Sequence, residues 1–334
     1  MRTAIACRHQ LAALVLGLAA TTASPVRMNA AAQAASGCRD GVLSLVTTTG
    51  ALEGTLQCPD GAGPWPLVLL VPGAGRVDRD GNSALQAERL NTMRLLADGL
   101  ASRGIASVRY DKRGVGASAG AALAEADMRF VTYAQDAAEW VQQLQLDDRF
   151  TSLTVVGHGE GSLVGMLAAR TADADGFVSL AGPGRRAADL MREQLGMRLP
   201  MELRADFRRV LAELEAGRTS DSIPYALTAL LRPSAQAYLA SWFRFDPSLE
   251  IGRLAVPVLI VQGSADQQVT VRDAQLLSAG QPRADAMILE GIDHSLRLAA
   301  SDASTGMRTH DARRPVADAI IDGVAAFVAQ VRRR

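Results

Sequence analysis

Val155-Val156-Gly157-His158-Gly159-Glu160-Gly161 is the stretch on which the fold turns. A short apolar run, Leu153 to Gly157, enters a Gly-x-x-x-Gly turn, and Ser162 to Arg170 then reads as a helix. Small residues at 157 and 161 suit a tight strand-to-helix elbow, where strand and helix approach too closely for side chains. Glycine at 159 also tolerates the strained backbone at the apex of such a turn.

Outward from the elbow, strand-like and helix-like segments alternate, which predicts an α/β fold with a mainly parallel sheet covered by helices on both faces. Pro66 to Val71 is wholly apolar, as a strand buried on both faces requires. A helical stretch from about Ala84 to Arg103 leads into a strand at Ile105 to Tyr110. Tyr133 to Leu146 carries Ala137, Trp140, Val141 and Leu144 on one helical face, and Phe177 to Leu180 reads as strand. The rhythm breaks over 183–249, where Leu203, Phe207, Val210, Leu211 and Leu214 form one apolar stripe and Gly217 is a stop signal. That segment reads as a helical cap inserted between two parts of a core, 35–182 and 250–334. Alternation resumes with a strand at Val256 to Gly263, a helix near Val271 to Leu277, a strand at Ala286 to Leu289 and a last helix from Val316 to Val331.

The start of the chain reads as a signal peptide over residues 1–34. Arg2 and Arg8 precede the apolar run Leu11 to Ala20, and small-residue sites follow at Thr22-Ala23-Ser24 and Ala32-Gln33-Ala34. The run is too short to span a bilayer, so an exported protein without stable membrane insertion is expected, periplasmic or extracellular. Of the three cysteines, Cys7 leaves with the signal. Cys38 and Cys58 flank two strand-like runs with a turn near Thr48 to Gly50, and a hairpin there would bring them together. Their disulfide would add about 3 kcal/mol; the alternative is two free thiols. Lys plus Arg and Asp plus Glu balance at 35 each among 334 residues. No basic excess points to nucleic acid or an anionic membrane, and no metal-ligand cluster, phosphate loop or cofactor motif stands out.

Three further segments place chemistry beside the elbow. Asp266 follows the strand ending Val261-Gln262-Gly263, placed to orient an imidazole, and His294 follows the last strand in Gly291-Ile292-Asp293-His294, placed as a general base. Pro72-Gly73-Ala74-Gly75 leaves the first central strand as a glycine-rich turn. The Ala74 N–H there and the Glu160 N–H at the start of the elbow helix are candidate oxyanion donors. Asp293 adjoins His294, but neighbouring side chains on an extended segment diverge, so Asp266 is the expected partner. His158 reads as structural, His310 as a fallback base, Asp246 as a turn former and Ser162 as a rescue nucleophile only if it projects from the elbow. Asp111, Lys112 and Arg113 suggest an ion-pair network, and Trp242 and Phe243 suggest core.

With these residues in view, the chain resembles exported members of the α/β-hydrolase family, near the serine aminopeptidase-like and small acyl-esterase branch. The resemblance is carried by VPGAGRVDRDGNS from Val71, RYDKRGVGASAG from Arg109, VVGHGEGSL from Val155, PVLIVQGSADQQV from Pro257 and GIDHSLR from Gly291. It implies an elbow reading Gly-His-Ser-Glu-Gly, with a nucleophile serine where this chain has Gly159, and the order elbow, acid, histidine. The expected function is hydrolysis of a small-molecule ester or a small amide or peptide, impaired by the missing oxygen. Non-hydrolytic chemistry by the His–Asp pair, or ligand binding without turnover, remain the alternatives.

Overall fold

The computed structural model describes residues 38–84, 88–196, 198–301, 308–309 and 314–333. The stretch read as a signal peptide, 1–34, and His310 lie outside them. The chain begins with an antiparallel hairpin, β1 (Gly41–Thr47) and β2 (Gly50–Gln57). It closes as expected near Thr48, and Cys38 and Cys58 are joined by a disulfide across its open end, with Cα atoms 5.6 Å apart.

Parallel strands follow, with helices between them: β3 (Trp65–Val71), α1 (Thr92–Ala101), β4 (Ala106–Tyr110), α2 (Phe130–Gln145), β5 (Phe150–His158), α3 (Glu160–Thr171) and β6 (Gly176–Leu180). Between β6 and the next strand come five helices, α4 (Ala187–Gln194), α5 (Met201–Glu215), α6 (Thr228–Leu231), α7 (Pro233–Phe243) and α8 (Pro247–Gly252). The sheet then completes through β7 (Val258–Gly263), α9 (Val271–Gly280) and β8 (Asp285–Leu289), and α10 (Asp318–Gln330) packs last. Strand order is β1-β2-β4-β3-β5-β6-β7-β8, with β1, β2 and β4 paired antiparallel and the rest parallel. This eight-stranded, mostly parallel sheet between helical layers is the α/β-hydrolase fold.

Two apolar layers explain the arrangement. On one face α2 and α3 bury Phe130, Trp140, Leu163 and Val164 against Leu67, Leu69 and Val155. On the other, α1 and α10 bury Leu96, Leu100, Ile320 and Val324 against Val68, Leu70 and Val156. Alternate residues of β3 and β5 thus serve opposite layers, as the two-residue period of a strand dictates. The inserted helices have their own core, in which Phe207, Val210, Leu211 and Leu214 of α5 are fully buried. Trp242 stacks on Phe130 at 5.6 Å, tying the insertion to α2, while Phe243 is buried in the insertion.

One boundary departs from expectation. The helix read from about Ala84 begins at Thr92. Asn82 and Asn91 hydrogen-bond to each other, side chain to side chain and side chain to backbone, and the Asp78 carboxylate accepts from the Asp80 and Asn82 amides. These local side-chain bonds compete with helical ones, and Asn91 adopts a left-handed φ of 51°. No helix among the described residues is long and apolar enough to cross a membrane.

Candidate active site

Gly159 stands between β5 and α3 with φ 54° and ψ −123°, a conformation that L side chains rarely adopt. The glycines around it answer to space. A Cβ at Gly157 would lie 2.2 Å from the Gly161 carbonyl oxygen, and one at Gly161 would lie 2.4 Å from that of Val71. Glycine at 157 is therefore a condition of the closeness of β5 to α3, and glycine at 161 of the closeness of the elbow to β3. A Cβ at Gly159 would instead point at His294, 3.3 Å from Nε2.

His294 and Asp266 come from loops after β8 and β7, at the carboxyl ends of the strands where open α/β sheets place their sites. His294 Nδ1 is 2.8 Å from Asp266 Oδ2. Asp266 also accepts from the Gln268 and Val269 amides on its other oxygen and from Gln262 Nε2 at 3.2 Å. Burial pushes the Asp266 carboxyl up, but the His294 hydrogen bond and charge and the backbone donors outweigh it and hold the group below its ordinary value. An ionised Asp266 fixes the imidazole with Nδ1–H toward the carboxylate and leaves Nε2 facing the Gly159 side.

Asp293 is engaged elsewhere: its Oδ1 accepts from the Ser295 amide and hydroxyl and from the Arg297 amide, which shapes the turn that presents His294. His158 donates from Nε2 to the His294 carbonyl oxygen at 2.8 Å, with the two rings 4.8 Å apart. Burial, then the neighbouring His294, pushes its pKa down to about 4, so His158 is a neutral prop under the loop. Ser162 is fully buried and bonded to Ser179 Oγ at 2.8 Å, and it does not project from the elbow. Asp246 accepts from the Ser248 amide and hydroxyl at the start of α8 and forms a turn.

The 73–75 turn faces the elbow. Gly73, Ala74 and Gly75 line a pocket of about 660 Å³ together with His158, His294 and Ser295. Among the described residues, neither the Ala74 nor the Glu160 amide donates to a backbone carbonyl. Asp111, Lys112 and Arg113, just past β4, are all buried and paired. Asp111 bonds Arg79 at 2.7 Å, Arg113 pairs with Asp136, and Lys112 is 3.0 Å from Glu160. The sequence suggests the ion pairs but carries no local mark that Lys112, two residues past β4, also reaches the 73–75 turn. No cluster of histidine, cysteine or carboxylate side chains among the described residues could hold a metal ion.

A family model described as serine aminopeptidase, S33, matches residues 86–216. Esterase EstD of Thermotoga maritima is 27% identical over 253 residues, 74% of this chain. The chain spans 58% of that relative's length. Among solved structures, Est1E of Butyrivibrio proteoclasticus superposes with a TM-score of 0.57 at 17% identity, covering 87% of this chain and 98% of Est1E. The α/β hydrolase GrgF of Penicillium sp. sh18 gives 0.58 at 18% identity, covering 88% and 99% respectively. These two likenesses show the fold alone; the family model and the esterase relative point the same way in sequence. The protein has the α/β-hydrolase fold.

Proposed function

We propose that this site is built to hydrolyse carboxylic esters or small amides with a serine, histidine and aspartate, and that Gly159 occupies the nucleophile's place. The observation that carries the reading is the direction of the absent Cβ, 3.3 Å from His294 Nε2, while Nδ1 of the same ring is held by Asp266. A serine hydroxyl there would lie within reach of the base. A pocket that only bound ligand would have no use for a base oriented in this way, so hydrolysis is favoured over binding. The esterase name of the relative agrees with it, and short acyl esters are the first substrates to test.

In the chain as it stands, His294 can still take a proton from a water beside Gly159, and the resulting hydroxide attacks the substrate carbonyl. The Ala74 and Glu160 amides would stabilise the oxyanion, and the protonated His294 would return its proton to the leaving group. Such turnover forms no acyl-enzyme. It is slow, because an oxyanion hole and binding alone leave about 10³–10⁴-fold over water. Trapping a covalent acyl adduct on this chain would overturn the water route. The deciding experiment compares the protein with its Gly159→Ser variant on short-chain aryl esters and aminoacyl arylamides. A large gain supports the reading, and no gain with a folded variant overturns it. The leader over 1–34 and the Cys38–Cys58 bridge support export to an oxidising compartment, which fractionation of expressing cells would test.

A further inference from the structure

Lys112 is 1% exposed, and its ammonium has three acceptors for its three N–H groups. They are the Gly73 carbonyl at 2.8 Å, the Gly75 carbonyl at 3.3 Å and Glu160 Oε1 at 3.0 Å. The Tyr133 ring closes the remaining side, 4.6 Å from Nζ to its centroid. One buried cation therefore touches both segments that carry the candidate oxyanion donors. The Gly73 carbonyl and the Ala74 N–H belong to one planar trans peptide unit and point in opposite directions. Holding the carbonyl on Nζ fixes the N–H toward the pocket. Glu160 supplies the other donor from its own backbone, and its side chain is held by the same ammonium.

We propose that Lys112 is a positioning residue that sets the oxyanion hole, locking the Gly73–Ala74 peptide and the first residue of the elbow helix to each other. The geometric part stands on the Lys112 contacts alone, and the catalytic consequence rests on the hydrolytic reading above. The sequence separates the three parts by 39 and 48 positions, so only the fold brings them onto one nitrogen.

The test has two arms, so that the two readings fail separately. Lys112→Met alone would strand the buried Glu160 carboxylate, so the variant used is Lys112→Met with Glu160→Gln, which keeps both backbone amides and removes the charge pair. In the otherwise unaltered chain, a crystal structure of this double variant should show the Gly73–Ala74 peptide rotated or displaced by about 1 Å or more relative to the parent. In the Gly159→Ser background, kcat per active site titrated with a serine-directed phosphonate should fall by about 100-fold or more, the order expected for a lost oxyanion donor. KM should stay within about threefold, since the substrate's ground state makes little use of the hole. A merely structural role would lower the melting temperature and the titratable fraction but leave per-site kcat in place. An unmoved turn, or a per-site kcat within about threefold of the parent, overturns the proposal. If Gly159→Ser itself gains nothing, the hydrolytic reading fails and the position of the turn alone decides the role of Lys112.

Discussion

The two neighbouring glycine-rich turns, 157–161 and 73–75, are held in opposite ways. The 157–161 elbow is held from within: backbone of β3, β5 and α3 sits so close that a single Cβ at 157 or 161 would collide with a carbonyl oxygen. The 73–75 turn has open space at Gly75, where a Cβ would meet nothing within 4 Å, and it is held from outside by Lys112. Close packing leaves a local trace in the sequence, a Gly-x-x-x-Gly spacing. A distant cation leaves none, and this difference governs what each turn tolerates.

The largest test of the contrast is at Gly159 itself. Gly159→Ser should raise aryl-ester turnover by about 10³-fold or more, because the tightly built elbow already aims that position at His294. Steady-state rates with p-nitrophenyl esters measure it, and an inactive but folded variant would mean the elbow's geometry is not a catalytic one. Next, Gly161→Ala should cost about 3 kcal/mol or more, since its Cβ would fall 2.4 and 2.5 Å from the Val71 and Pro72 carbonyl oxygens. Urea unfolding measures this, and a loss under about 1 kcal/mol would show that the elbow is looser than described.

A third test uses His158, the side chain that the elbow sends toward the other turn. Its folded pKa of about 4 lies below the ordinary 6.5, so the unfolded chain binds the proton first. Stability from this group is intact above pH 6.5 and is lost as pH falls toward 4, by about 2 kcal/mol near pH 5. His158→Gln should be less acid-sensitive than the parent when unfolding is compared at about pH 7 and pH 5; equal losses would remove the histidine from the account. The smallest effect belongs to the other turn. Gly75→Ala meets no atoms and should cost only about 1 kcal/mol, from its φ of 82°. If it costs as much as Gly161→Ala, the contrast between the two turns is wrong.

Much of the fold was legible because strands and helices declare themselves by period. Pro66 to Val71 and Val256 to Gly263 read as buried strands and lie in β3 and β7, with one or two residues of drift at their ends. The stripe from Leu203 to Leu214 lies in α5. The start of α1 was misjudged because Asn82 and Asn91, nine positions apart, pin the preceding loop with side-chain bonds that carry no periodic mark. Among the candidate site residues, the Asp266–His294 contact followed from strand order, since loops after adjacent parallel strands open on one edge of the sheet. That Asp293 faces away and Ser162 is sealed against Ser179 needed the side-chain environment.

By itself, then, the sequence determined the alternating layers, the hairpin between Cys38 and Cys58, the elbow and the glycine at its apex. These depend on side-chain period, turn chemistry and the space a glycine leaves, all of which act over a few neighbouring residues. The tertiary structure alone decided that the Cβ direction at 159 meets His294 Nε2 and that Lys112 joins Gly73, Gly75 and Glu160 on one ammonium. The physical reason is range: a buried charge or an imidazole selects its partners by distance and burial after the sheet has assembled, and residues dozens of positions apart become neighbours only then.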